Sequence, residues 1–306
     1  MANSVLDAPH FQTETAAFAY VEAALWPDGP TCPHCGETAR IGRLAGKATR
    51  PGLHKCYACK QQFTVRIGTI FEDSHLPLHL WLQVIHLMCA SKKGIATRQI
   101  QRMLNCSMKT AWFLGHRIRE AMAPANDAGP LGGSGKIVEA DETELARSRK
   151  TSRPKGFRRR THNTKVLSLV ERGGNVRSVT LDHRGVTRHL RGMVHKDTRL
   201  VTDRAQHYAL PPFKEHDSVD HSKFEWARGD VHTNTLEGFF SIVKRGLIGV
   251  YQRVDKKHLD RYLAEFDFRM NTRERLGIDD TQRAAIALKG VVGKRLTYET
   301  IDRAEA

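Results

Sequence analysis

Apolar residues fall at helical intervals in the first third of the chain and at strand intervals after it. Thr13 and Glu14 precede the run Ala16, Ala17, Phe18, Val21, Ala24 and Leu25, which predicts a short amphipathic helix within residues 10–28. Trp26-Pro27-Asp28-Gly29-Pro30 ends it, because two prolines and a glycine cannot continue a helix. Residues 32–71 read as a turn-rich module of short strands, and Leu76 to Ala90 as an apolar helix. Beyond a hinge at Gly94, Ala96 to Leu104 and Met108 to Met122 have helical spacing. The turn Asn105-Cys106-Ser107 between them, with Ser107 placed to cap the second helix, makes a helix-turn-helix pattern. Ala123 to Gly135 has the glycines and prolines of a linker.

The period then changes to two. Lys136 to Thr143, Val166 to Val170 and Val176 to Leu181 are β-rich, and Gly173-Gly174-Asn175 predicts a hairpin between the last two. Val186 to Met193 predicts a helix, Thr198 to Thr202 a buried strand, and Thr235 to Arg245 and Lys257 to Asn271 two longer helices. A three-strand meander followed by alternating helices and strands implies an α/β sheet with helices on both faces. No internal repeat is present.

A length of 306 residues suggests about two domains. Lys and Arg total 49 against 33 Asp and Glu, a formal charge of +16. With 40% hydrophobic residues the chain is too apolar for disorder, and with 27% charged residues too polar for an integral membrane protein. The charge excess points to a polyanion, nucleic acid ahead of an anionic membrane surface. No apolar stretch reaches the roughly 18 residues of a spanning helix. Met1 to Phe11 contains Asp7 and no Lys or Arg, unlike the start of a secretory signal, so a cytoplasmic, nucleoid-associated protein with no membrane partner is expected.

Cys32-Pro33-His34-Cys35 and Cys56-Tyr57-Ala58-Cys59 form two C-x2-C knuckles separated by twenty residues. Four thiolates at this spacing can converge on one Zn²⁺ in a closed structural site. Cys89 and Cys106 read as ordinary helix residues. Around the knuckles, Arg40, Arg43, Lys47, Arg50, Lys55, Lys60 and Arg66 outnumber the single acid Glu37; they form either a phosphate-facing module or a solvated basic face. On the second helix of the helix-turn-helix, Lys109, Trp112, His116 and Arg117 are candidates for a major groove, though many trihelical units only pack.

Three acids stand at the edges of regular elements: Asp141 late in a strand, Asp203 closing Leu200-Val201-Thr202-Asp203, and Glu237 near the start of a helix that reaches Lys244 two turns on. Such acids are often caps or surface charges. Brought together at a sheet edge, they could hold two divalent cations about 4 Å apart for phosphodiester chemistry. From Leu145 to Val170 the chain carries nine cations and no acid, namely Arg147, Arg149, Lys150, Arg153, Lys155, Arg158, Arg159, Arg160 and Lys165. Beside Asp141 such a run would hold a DNA backbone.

Several motifs in order carry a resemblance: Cys-Pro-x-Cys-Gly at 32–36, His-Lys-Cys-x-x-Cys-x-x-x-Phe-Thr-Val at 54–65, Gly-Thr-Ile-Phe at 68–71, and Leu-Pro-Leu-x-x-Trp at 76–81. Asp-Glu-Thr at 141–143 and His-Thr-Asn-Thr-Leu-Glu-Gly-Phe-Phe-Ser-x-x-Lys-Arg-Gly at 232–246 follow. From about Phe11 to Asn271 the chain resembles bacterial insertion-sequence transposases of the ISXO2-like group, which join a zinc ribbon to an RNase-H-like DDE domain. The resemblance implies an enzyme that cuts the ends of its own mobile element and joins them to target DNA, with Asp141, Asp203 and Glu237 holding two Mg²⁺ (or Mn²⁺) ions. It places Lys244 beside the DNA at the active site and makes a dimer or larger assembly on DNA the expected form; Asn234, one turn before Glu237 on the same face, reads as an auxiliary metal ligand or DNA contact, or else as the helix N-cap. Where many relatives continue after Asp-Glu-Thr with Gly-Gly-Lys, this chain has Glu144-Leu-Ala-Arg-Ser-Arg.

The expected organisation is an N-terminal helix at 1–30, a zinc ribbon at 31–72, and a helix-turn-helix-like DNA-binding region at 73–124. A linker at 125–135, an RNase-H-like catalytic domain at 136–275, and a C-terminal tail at 276–306 complete it. The rival readings are a non-catalytic zinc-dependent DNA-binding regulator and an RNase-H-like nuclease that cleaves without joining.

Overall fold

A computed structural model describes residues 4–124, 129–148, 162–182, 185–203 and 213–296, and the chain divides into two compact units, 1–123 with 277–306, and 124–276. In the first unit the segment expected as one helix splits into α1 (Pro9–Gln12) and α2 (Glu14–Leu25). Thr13 is the reason: its backbone is extended and its side chain accepts from the Ala16 amide, capping α2. Three short antiparallel strands follow, β1 (Ile41–Arg43), β2 (His54–Cys56) and β3 (Gln62–Phe63), with Ile41 opposite Cys56 and His54 opposite Phe63.

The helix α3 (Leu78–Ala90) starts at Pro77, which offers no cap; Glu14 supplies one from α2, its Oε2 accepting from the amides of Leu78 at 2.6 Å and His79 at 3.3 Å. The helices α4 (Thr97–Leu104) and α5 (Met108–Met122) form the expected helix-turn-helix pattern. Asn105 takes the left-handed conformation that ends α4, and the Ser107 hydroxyl accepts from the Thr110 amide at 3.0 Å.

The second unit is built on a five-stranded mixed sheet. Its strands are β4 (Ile137–Ser148), β5 (His162–Glu171), β6 (Val176–Thr180), β7 (Arg199–Asp203) and β8 (Glu215–Val219), in the order β6-β5-β4-β7-β8. The first three are antiparallel, whereas β7 and β8 run parallel to β4, giving the RNase-H-like sheet anticipated from the sequence. Alternation along β4 directs Val138 and Ala140 to one face, where they pack with Leu167, Leu169 and α6 (Gly185–Met193). The other face receives α7 (Asn234–Gly246) and α8 (Lys256–Asn271). On α7 the buried stripe Leu236, Phe239, Phe240 and Val243 follows helical spacing, and each such burial contributes about 1.5–3 kcal/mol.

The segment expected as a tail instead forms α9 (Asp280–Lys289), which belongs to the first unit. Arg283 donates to the Cys89 carbonyl, Ile70 N–H to Val291 O at 3.2 Å, Gly293 N–H to Gly68 O at 2.8 Å, and Lys294 Nζ to Ala123 O at 2.6 Å. Gly290 is required where α9 ends, since a Cβ there would lie 2.2 Å from the Ala121 carbonyl oxygen. No helix among the described residues is long and apolar enough to cross a membrane.

Candidate functional site

The two C-x2-C knuckles bring their sulfurs together in the first unit. Cys32 Sγ lies 3.7 Å from Cys59 Sγ and Cys35 Sγ 3.7 Å from Cys56 Sγ, and all four fall within 4.8 Å of one another. A tetrahedron of Zn–S bonds near 2.3 Å has edges of about 3.8 Å, so the donor set and its size fit Zn²⁺. The Cys59 amide, ahead of that of Ala58, holds the Cys56 thiol down to about 7, favouring the thiolate that metal binding requires. Among the described residues this is the only group of three or more His, Cys, Asp or Glu side chains gathered so closely.

The acids of the second unit are arranged differently. Ala140 pairs with Thr202 in parallel register, so Asp141 and Asp203 are the next residues on adjacent strands, both on the α7 face of the sheet. Asp141 is not near the end of its strand, as expected, because β4 continues to Ser148 paired with β5; it stands where pairing with β7 stops. Burial is the main cause that raises the Asp141 carboxyl to about 6, and the charges of Asp203, Glu142 and Glu237 push the same way. The Glu142 amide, donating at 2.7 Å, opposes them. Asp203 Oδ1 is buried without a hydrogen-bond partner among the described residues.

Glu237 is exposed in the first turn of α7. With Asp141, Glu142 and Thr143 it lines a cleft of about 410 Å³, whose remaining wall is Phe240, Ser241, Lys244 and Arg245. Residues 237, 241 and 244 recur along one helix face, and the Lys244 ammonium sits 6.0 Å from the Phe240 ring centroid. Three acids and two cations thus share one opening. The acids do not meet at ligating distance as the thiols do, and an oxygen donor set with one orphaned oxygen suits a hard divalent cation.

Asn234 is the exposed first residue of α7; the cap position is Thr233, so Asn234 does not serve as the cap. Lys109 is exposed in the first turn of α5. Arg117 is not a surface residue: its guanidinium is buried, with Nη1 donating to the carbonyls of Ile70 at 2.9 Å and Glu72 at 2.7 Å, so its role is to hold the fold. Arg147 lies on β4 with its side chain outside the description, and Arg149, Lys150, Arg158, Arg159 and Arg160 lie outside the described residues. Sequence reasoning passed over Lys92, Lys93, Arg98 and Arg102, all exposed between the end of α3 and the end of α4. The spacing of Arg98 and Arg102 about the buried Ile100 was the available signal.

Comparison with known proteins adds to this geometry. Residues 130–271 match the family described as ISXO2-like transposase domain, and residues 12–62 the transposase zinc-ribbon domain. The chain is 26% identical over 276 residues to an uncharacterized protein in transposable element ISH50 of Halobacterium salinarum, covering 85% of this chain and 91% of that protein. A solved Mos1 strand transfer complex aligns with 68% of this chain and 74% of its own at 14% identity, with a TM-score of 0.27.

Proposed function

Because residues 130–271 match the ISXO2-like transposase domain and residues 12–62 the transposase zinc-ribbon domain, we propose that the chain is a transposase of that group, which cuts the ends of an insertion sequence and joins them to target DNA at the cleft between β4 and α7. The observation that carries this reading is that Asp141 and Glu237 line one opening with Lys244 and Arg245, while Asp203 stands next to Asp141 on the adjacent strand, close enough for its charge to act on that carboxyl. Asp141, Asp203 and Glu237 would hold two Mg²⁺ (or Mn²⁺) ions, which supply Lewis acidity to activate the attacking oxygen and stabilise the leaving one. The residues of the chain do the rest. Crowded carboxylates repel a phosphate backbone, and Lys244 and Arg245 on the same helix offset that repulsion where the scissile phosphate enters. The basic run after Ser148, whose residues 149–160 lie outside the described ones, supplies further cations for the DNA backbone, and Asn234 contributes a DNA contact. No side chain serves as a covalent carrier: water cuts the element end, and the released 3′-hydroxyl then attacks target DNA.

The ribbon, with zinc on Cys32, Cys35, Cys56 and Cys59, and the helix-turn-helix, through Lys109, recognise the element ends. Pairing two ends requires a dimer or larger assembly on DNA.

The test is a strand-transfer assay on the full chain with Mg²⁺, a target plasmid, and DNA ends taken from the inverted repeats flanking the coding sequence. Cleaved ends joined to the plasmid are expected. Cleavage without joining would make the protein a nuclease, and binding without cleavage a regulator; either result sinks the proposal.

A further inference from the structure

Two residues before Asp141, on the same face of β4, stands an acid that the proposed chemistry does not use. Glu139 is fully buried in a strand that is otherwise apolar on both sides at that level, a costly place for a carboxylate unless it is fully bonded. It is. Its Oε2 accepts from the Leu236 amide at 3.0 Å, and its Oε1 accepts from the Thr235 hydroxyl at 3.0 Å and from Arg172 Nε at 2.8 Å. His232 Nδ1 lies 3.6 Å away.

These partners are specific in what they join. Leu236 immediately precedes Glu237, so one carboxylate ties β4 two residues from the first acid to α7 one residue from the third. The cap residue of α7, Thr233, makes no side-chain bond to the helix, and Glu139 takes that duty from another element, where the helix dipole also favours a negative charge. Arg172 completes the clamp. Besides pairing with Glu139 it donates to the carbonyls of Asp230 at 2.7 Å and His232 at 2.8 Å, fixing the loop that enters α7, while its own amide donates to Ile137 O on β4. Apolar contacts alone would let a helix slide or rotate on the sheet, whereas directional bonds to a buried charge set its position.

We propose that Glu139 is a positioning residue, which sets the separation of Asp141 and Glu237 and thereby the cleft's affinity for divalent cations. It touches neither cation nor DNA. The proposal rests on the reading that the cleft acids bind metal, and the experiment separates the two.

Mn²⁺ binding to the zinc-loaded full chain is measured by electron paramagnetic resonance of the free ion, below the melting temperature of every variant. Glu139→Gln is expected to weaken Mn²⁺ binding about tenfold, the usual scale for residues that orient ligands, while remaining folded. The control is Glu265→Gln, an equally buried carboxylate in the same unit that accepts from Tyr251 and pairs with Arg269; it should lower the melting temperature and keep Mn²⁺ affinity. Thr235→Val removes one bond to Glu139 and leaves the Arg172 pair, and a loss of about threefold is expected. It decides the matter if Glu139→Gln does not fold. Wild-type Mn²⁺ affinity in the folded Glu139→Gln protein, or in Thr235→Val in that event, overturns the proposal. Wild-type affinity in Asp203→Ala would instead remove the metal reading of the cleft itself.

Discussion

The two units both bury charge, but of opposite sign. In the first, arginines turn inward onto backbone oxygens: Arg117 onto Ile70 and Glu72, Arg283 onto Cys89, and Arg66 onto Ser74. In the second, the deepest charged groups are acids, Glu139, Glu265 and Asp267, two of them held by an arginine. The candidate metal sites follow the same division. Four thiols from two local knuckles lie within 4.8 Å of one another, whereas the three carboxylates come from two strands and a helix and form no such cluster, with Asp141 raised to about 6. A site built from chain-local turns can close on its ion and serve as structure. One built from separate elements of a sheet keeps an open side, which a reacting phosphate needs.

The largest expected effect tests that open side. Replacing Asp141, Asp203 or Glu237 by Ala should reduce strand cleavage and joining by at least about a thousandfold, since metal-held charge is worth several kcal/mol and each 1.4 kcal/mol is tenfold. DNA binding should survive, as read by gel shift at fixed salt. Near-normal cleavage by Asp203→Ala would end the assignment.

Chelation tests the closed site. Removing zinc, or substituting Cys56→Ser, should unfold the ribbon and weaken binding to element ends, because folding and metal binding are coupled in such modules. The second unit should keep its own melting transition by calorimetry. A chelated protein that binds its ends normally would contradict the division of roles.

A smaller effect separates inward from outward cations on α5. Arg117→Ala should cost about 2 kcal/mol of stability by leaving two carbonyls unsatisfied. Lys109→Ala should leave stability unchanged and lower the slope of log affinity against log salt by about one. A reversed pattern in the two denaturation curves would reassign both residues.

The smallest effect concerns Asp267, whose carboxyl burial raises from its usual 3.8 to about 7 against the Ser178 hydrogen bonds that favour ionisation. The folded state holds this proton more tightly than the unfolded state. Stability should therefore fall as pH rises from about 4 to about 7 and level off above that. Asp267→Asn should flatten this fall in melting temperature, and unchanged slopes would count against it.

The four cysteines were legible in the sequence because they sit in two local knuckles, whereas Asp203 and Glu237 stood out only as acids at the edges of regular elements until the family resemblance gave them a role. The change of period at residue 136 pointed to a three-strand meander within an α/β sheet, and the RNase-H-like form of that sheet was implied by the family resemblance. What local pattern could not supply was burial decided by distant elements. Lys109 and Arg117 are eight positions apart, about 80° around a helix, so one faces solvent and the other the interior; only the packing of residues 70–72 beneath α5 reveals which. No local pattern marks Glu139, whose partners lie 33 and 97 residues on, at Arg172 and Leu236. The expected tail failed for the same reason, since α9 finds its core against helices nearly two hundred residues earlier.

That last feature orders events in time. The chain leaves its first unit at residue 123, completes the second, and returns at 277. A ribosome therefore releases all of the cleft-bearing unit before α9 emerges to seat Arg283 on Cys89 and Gly293 on Gly68. The helices that follow the zinc ribbon are made first and finished last. A message cut short after the sheet would yield the cleft-bearing unit joined to a first unit that lacks α9, so the fold itself ties completion of the ribbon-bearing unit to synthesis of the segment after residue 276.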